Sequence, residues 1–259
     1  MASTGATFST LAVELSDGIG RLTLNQPDQL NPLGSDTLAE IAQAARWFDD
    51  QGARVVVVTS AGDRAFSAGF DLREISGPSS DPPDVDLGYQ MVDAVENMEA
   101  ITIAAIHGHC VGGGILLAVG CDLRIAADNT RFAIPEVDLG IPLAWGGIPR
   151  LVREVGPAVT RELVMTCRPF DALEAQSLGM VNRVVPVDRL RVETDELATS
   201  LAAKPVSLLR TTKRQVQEAT ENMVSTQSGW TASAHLAVAL ADPEARAAAS
   251  AYLAGRGGR

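Results

Sequence analysis

Residues 101–127 read ITIAAIHGHCVGGGILLAVGCDLRIAA, the most apolar stretch of the chain. Ile101–Ile106 is a short apolar run with the length of a buried strand, and the three glycines Gly112, Gly113 and Gly114 open a helix over Ile115–Val119. Leu123–Ala126 then reads as a second strand. His107, His109, the glycines, Asp122 and Arg124 interrupt the stretch, so it does not read as a membrane span. Strand, helix, strand predicts an α/β core. Three consecutive glycines lose more backbone entropy on folding than any other triplet, so the chain must gain something by placing them here.

The same pattern continues on either side. Upstream, Leu11–Leu15 and Arg21–Asn25 alternate around Asp17-Gly18, a strong hairpin signal. SDTLAEIAQAARWFDD (35–50) places Leu38, Ile41, Ala45 and Phe48 at helical spacing behind a Ser35 cap, and RVVVVT (54–59) is a β-branched buried strand. GPSSDPPDVDL (77–87) has loop composition, and a helix over Gly88–Ala100 is expected after it. Downstream, GIPLAWGG (140–147) is a loop and Leu151–Cys167 a helix. Asp171–Leu178 is a second helix, capped by Asp171 and closed by Gly179, and Val181–Val185 is a last strand. From Asp188 onward only helical segments are expected: LATSLAA, VSLLRTTKRQVQEAT, TASAHLAVAL and PEARAAASAYLAG. The expected organisation is therefore an α/β core over residues 1–187 and a helical region over 188–259, with no internal repeat at a fixed period.

A chain of 259 residues that is 46% hydrophobic can bury a full core. Its formal net charge of −11 argues against a nucleic-acid or anionic-membrane partner, because phosphate is met by a basic stripe that this composition does not supply. Any anionic ligand must meet a local basic cluster. Cys110, Cys121 and Cys167 fit neither a disulfide framework nor metal-ligand spacing and are expected as reduced core thiols. The opening MASTGATFST has no basic start and no apolar run, so a cytoplasmic protein is expected.

Several segments could carry chemistry. AFSAGFDL (65–72) follows a predicted strand, where α/β folds place ligands and backbone N–H groups can be left open. Ser67 stands one glycine short of a nucleophile elbow, and a hydrolase triad would also need a later acid and His235, which lies in an Ala-rich helical stretch, so that reading is disfavoured. A helix that begins in glycines offers N–H donors and a partial positive charge to an oxyanion. Neither a dinucleotide fingerprint nor a P-loop is present, and His107 and His109 lack a third ligand, so no metal is expected. Glu136, in FAIPEVDLGIP (132–142), is a carboxylate among apolar residues; buried there, its pKa would rise into the range of a general base. Asp138 is the second candidate acid.

AFSAGFDL, HGHCVGGGILLAVGCDLRIAADN, FAIPEVDLGIP and RPFDALEAQSLGMVNRVV together stand in the order and spacing of the enoyl-CoA hydratase/isomerase (crotonase) superfamily, which the chain resembles from about Leu11 to Arg214. The resemblance implies a crotonase-like spiral of β-β-α turns with a helical C-terminal trimerisation region, and a homotrimer or dimer of trimers. It implies an acyl-CoA thioester substrate with no separate cofactor, coenzyme A being part of the substrate. One oxyanion donor falls on the N–H of Phe70 and the other on Gly113. The coenzyme would lie along Gln29, Leu30 and Asn31 and against the backbone of Ala68, Phe70 and Leu72, with Arg73 and Lys213 as phosphate partners. Trp145 would border the acyl pocket. Hydratases of the family carry two glutamates around one water; Glu136 matches the second, but Leu116 stands where the first belongs. This single-acid pattern resembles the Δ3,Δ2-enoyl-CoA isomerase branch. The dehalogenase branch has a nucleophilic aspartate where this chain has Ala144. The alternatives are an enoyl-CoA hydratase of fatty-acid β-oxidation and a protein of this fold that binds acyl-CoA without turning it over.

Overall fold

Asp17 and Gly18 both take positive φ, 53° and 79°, the pattern of a two-residue hairpin turn whose twist matches the strands it joins. They fold strand β1 (Leu11–Ser16) antiparallel onto β2 (Ile19–Leu24). The computed structural model describes residues 7–76, 86–226, 235, 238–239 and 241–256. After the hairpin come α1 (Ser35–Asp50), β3 (Val55–Ser60), β4 (Ala65–Ser67), α2 (Arg73–Ser76) and α3 (Leu87–Glu96). The expected 101–127 unit forms β5 (Ile101–Ile106), β6 (His109–Val111), α4 (Gly113–Val119) and β7 (Leu123–Ala127). Then follow β8 (Arg131–Ala133), α5 (Gly147–Thr166), β9 (Phe170–Asp171), α6 (Ala172–Ser177), β10 (Arg183–Val185), α7 (Leu190–Ala202), α8 (Val206–Met223) and α9 (Pro243–Arg256).

Three successive turns of chain have one plan: β3–β4–α3, β5–β6–α4 and β7–β8–α5. Each gives a long strand to a six-stranded sheet of order β1-β2-β3-β5-β7-β10 and a short one to a four-stranded sheet of order β4-β6-β8-β9. This is the expected β-β-α spiral. The repeat has no fixed period because the turns begin at Val55, Ile101 and Leu123, the second being much the shortest. Beyond β1 the large sheet is parallel throughout, and a parallel sheet is stable only with both faces covered. RVVVVT satisfies this by alternation. Val56 and Val58 pack with Ile41, Phe48, Met91 and Ile115 of the outer helices, while Val55 and Val57 face a second apolar layer with Leu190 and Ala198 of α7. Side chains of this size contribute roughly 1.5–3 kcal/mol each when fully buried.

Some details differ from expectation. Gly34, not Ser35, is the N-cap of α1, and the Ser35 N–H and hydroxyl donate to Glu74 at the start of the next turn. Helix α5 is broken by Gly156 at φ 75°, ahead of Pro157, which cannot donate to a continuing helix. Asp171 does cap α6, accepting from the Glu174 N–H at 2.9 Å. Of the expected 77–87 loop, residues 77–85 lie outside the described residues, as does most of TASAHLAVAL.

Lys213 is a correction. Its ammonium is buried, donating to the Ala100 carbonyl at 3.0 Å and to Asp122 Oδ2 at 2.9 Å, so it pins α8 to the sheet and cannot meet a phosphate. Ala100 and Asp122 precede β5 and β7, at the N-terminal edge of the parallel sheet. Loops that could hold a ligand leave the opposite edge, about 20 Å away for a six-residue strand. Replacing Lys213 with Met should lower unfolding stability by about 2–3 kcal/mol in urea titration, since it removes the cation paired with Asp122 and leaves that carboxylate only its Thr102 donors. Affinity for coenzyme A, measured by calorimetry, should not change.

Candidate active site

β4, β6 and β8 are adjacent and parallel, with Ser67 opposite Cys110 and Val111 opposite Ala133. Segments 68–70, 112–114 and 134–136 therefore leave one sheet edge side by side. With neighbouring strands about 4.8 Å apart, all three loops emerge within about 10 Å. AFSAGFDL, VGGG and IPEVDLG are thus brought together by register alone.

In the first loop nearly every backbone N–H is used. Ala68 donates to the Leu30 carbonyl at 2.9 Å, Gly69 to Ser67 Oγ at 3.1 Å and Asp71 to the Leu33 carbonyl at 3.4 Å. The Phe70 N–H between them has no partner among the described residues. In the second loop Gly112 donates to the Ala133 carbonyl at 2.9 Å, while the N–H groups of Gly113 and Gly114, at the start of α4, take no partner among the described residues. Gly69 has φ 86°, and a Cβ there would stand 2.7 Å from the Val111 carbonyl oxygen and 3.5 Å from the Gly113 nitrogen. The two loops touch, and only glycine permits the contact. Open N–H groups on both sides of that contact can hydrogen-bond one oxygen that becomes negative during reaction.

Ser67 is not a nucleophile. It is fully buried, donating to the Asn31 carbonyl at 2.8 Å and accepting from Gly69, so it fixes the donor loop in place. Asn31 is structural too: its amide donates to the carbonyls of Ala61 and Ala65, both at 3.0 Å.

The third loop supplies the acid. Glu136 is only 9% exposed, and its Oε2 has no hydrogen-bond partner among the described residues. Burial pushes its pKa up to about 7. Its Oε1 lies so close to Gly112, φ 49°, that any side chain at 112 would displace it. Asp138 is exposed and is not the buried acid. Glu136 shares a small cavity of about 40 Å³ with Ala68, Phe70, Leu72, Leu139 and Tyr252.

Trp145 and Leu116 form the wall behind the donors. The Trp145 indole packs directly on the Cα atoms of Gly113 and Gly88 and meets Phe70 edge-on, centroids 6.0 Å apart. Its φ of 57° is unusual for a bulky residue and must be held. Arg150 holds it. The buried guanidinium donates to the carbonyls of Trp145 and Gly146 at 3.2 and 3.3 Å and is anchored by Glu96 at 2.6 Å. Leu116 is buried, and any side chain on Gly147 would meet its methyls, so the place of a second glutamate is apolar.

On the other side of the donor loop, Leu30 is half-buried, Gln29 exposed, and the bond from Ala68 to Leu30 makes them one surface with Leu72. Arg73 projects into solvent from that surface, its guanidinium on Asp71 at 2.6 Å. The roles of Ser67 and Arg150 carry no local signal, because the partners that fix them, Asn31 and Glu96, lie 36 and 54 residues away; Tyr252 reaches the site from the far end of the chain. Among the described residues no three His, Cys, Asp or Glu side chains are placed to hold a metal, and no helix is long and apolar enough to cross a membrane.

The family model for enoyl-CoA hydratase/isomerase matches residues 14–253. The chain belongs to the enoyl-CoA hydratase/isomerase family. It is 35% identical over 214 residues to a crotonyl-CoA hydratase from Syntrophomonas wolfei, covering 82% of each chain. It is 37% identical over 196 residues to a carnitinyl-CoA dehydratase from Escherichia coli, covering 74% of each. An enoyl-CoA hydratase structure from Mycobacterium avium superposes with a TM-score of 0.85 at 26% identity, over 95% of this chain and 99% of that one. A Bacillus halodurans enoyl-CoA hydratase shares the fold at a TM-score of 0.86 and 21% identity. As an enoyl-CoA hydratase or isomerase the chain is an enzyme of thioester chemistry, and the open N–H groups beside a buried acid suit that chemistry.

The raised pKa of Glu136 has a stability consequence. An acid whose folded pKa lies above its unfolded value destabilises the fold fully above the folded pKa and not at all below the unfolded one. Glu136→Gln should therefore stabilise the protein by up to about 3 kcal/mol at about pH 8 and change little near pH 4, as read from urea midpoints at the two pH values.

Proposed function

We propose that this enzyme moves a double bond, converting Δ3- to Δ2-enoyl-CoA, with Glu136 as both base and acid. The Glu136 carboxylate removes a proton from C2, and the electron pair spreads over a dienolate whose oxygen is held by the N–H groups of Phe70 and Gly113. The protonated Glu136 then returns the proton to C4, so the double bond shifts with no net gain or loss of atoms. A pKa near 7 suits both halves, because an acid–base catalyst works best when its pKa lies near the working pH. Each oxyanion donor supplies on the order of 100- to 1,000-fold in rate.

The observation that carries this proposal is the solitary acid: Glu136 is the one carboxylate among the described residues lining its cavity. Adding water to C3 calls for groups that hold and orient it, and Leu116, where a second glutamate would stand, is buried beside Gly147. Coenzyme A would follow the Gln29, Leu30, Ala68 and Leu72 surface, with Arg73 free to exchange Asp71 for a phosphate. The acyl chain would run toward Leu116 and Trp145.

Hydration is the second possibility, favoured by the names of relatives such as the Syntrophomonas wolfei crotonyl-CoA hydratase. The two are separated by incubating the protein with 3-enoyl-CoA and 2-enoyl-CoA in turn, following water addition by mass spectrometry and C2 exchange by NMR. The expected outcome is isomerisation with C2 exchange, kcat/KM rising with pH to a plateau through about pH 7, and a loss of about 100- to 10,000-fold in Glu136→Gln. Hydration of 2-enoyl-CoA faster than isomerisation would overturn the isomerase assignment, and tight binding without exchange would indicate a non-catalytic binder.

A further inference from the structure

The C-terminal helix α9 reaches the site at two points. At its start, Gly140, four residues beyond Glu136, lies against the Ala245 carbonyl so closely that no side chain would fit. Two turns on, about 10 Å along the helix, half-buried Tyr252 lines the cavity that holds Glu136. The remaining wall around the acid, Pro135, Leu139, Ile141 and Val111, is apolar. Among the described residues of α9, Tyr252 is the one that lines this cavity.

We propose that Tyr252 is the residue that keeps water away from Glu136, so that the acid exchanges protons with the acyl chain and water does not reach C3. The proposal rests on the isomerase assignment for its catalytic consequence, but not for its effect on the acid. The other titratable groups near Glu136 are few. Cys167, beyond α5, has its thiol pKa raised by burial and feels the charges of Asp138 and Glu136; Asp138 is exposed, and Asp71 and Arg73 pair with each other. No Lys, Arg or His lines the cavity among the described residues, so the proton affinity of Glu136 is set by solvent exclusion.

Tyr252→Ala should admit water; Tyr252→Leu should retain bulk and exclude it, and Tyr252→Phe tests the hydroxyl. The titration of Glu136 is followed in each protein by carbon-13 NMR of labelled glutamate carboxyls, the Glu136 resonance being the one lost in Glu136→Gln. Its midpoint should fall by about one unit or more in Tyr252→Ala and stay close to wild type in the Leu and Phe variants. With 3-enoyl-CoA, Tyr252→Ala should also yield a larger fraction of hydroxyacyl-CoA. An unmoved midpoint in Tyr252→Ala, with the protein folded by circular dichroism, overturns the proposal. So does an equal fall in Tyr252→Leu. The titration needs no turnover: a protein that proves not to be an isomerase would still show the shift if Tyr252 shields the acid. If Tyr252→Ala fails to fold, Tyr252→Thr opens the same wall in the full chain and must show the same fall.

Discussion

The parallel pairing of three short strands, β4, β6 and β8, with a register shift between Ala65 and Ser67 that sets Ser67 opposite Cys110, governs the whole site. Each has three residues, too few to hold together alone, and each is the second strand of a turn whose first strand lies in the large sheet. The large sheet thereby sets where the small one forms, and the small one sets where the loops leave it. Two loops with open N–H groups and one with an acid become neighbours through register. A slip of one residue would turn side chains to the wrong face and separate Gly69 from Val111.

A site of this kind opposes stability. It leaves backbone donors open at Phe70 and Gly113, buries a carboxylate with one oxygen unpartnered, and holds Trp145 at positive φ. The strain is offset by neighbours that have no other evident task. Ser67 and Asn31 consume the polar groups of the donor loop, and Arg150 with Glu96 grips the Trp145 turn. Both sheet faces are covered by aliphatic side chains, which allows the polar irregularities to collect at one edge. The same division between rigid sheet and irregular edge recurs wherever parallel strands carry a ligand site.

The elements legible in the sequence were those with long local patterns. The hairpin, α1, β3, β5 and β7 follow from alternation, helical spacing and β-branched runs, and their burial explains why. The small sheet was not legible, because three residues such as His109–Val111 carry no period and their pairing is decided at a distance. Glu136 could be singled out as an acid among apolar residues, and the triple glycine as a place of close approach. Phe70 and Gly113 as donors came only through resemblance to a family, since a main-chain N–H leaves no mark in sequence. Lys213 misled because its role depends on Ala100 and Asp122, which nothing local to α8 announces.

The proposed chemistry depends on main-chain hydrogen bonds to a thioester oxygen. The most direct measurement is the infrared band of that carbonyl in a non-reacting acyl-CoA labelled with carbon-13 at C1, recorded free and bound to the wild-type protein. Two donors weaken the C=O bond, so the band of the bound thioester should fall below its position in water. A band at or above the solution value would mean that the Phe70 and Gly113 N–H groups do not engage the carbonyl, and no enolate chemistry at this site could be sustained.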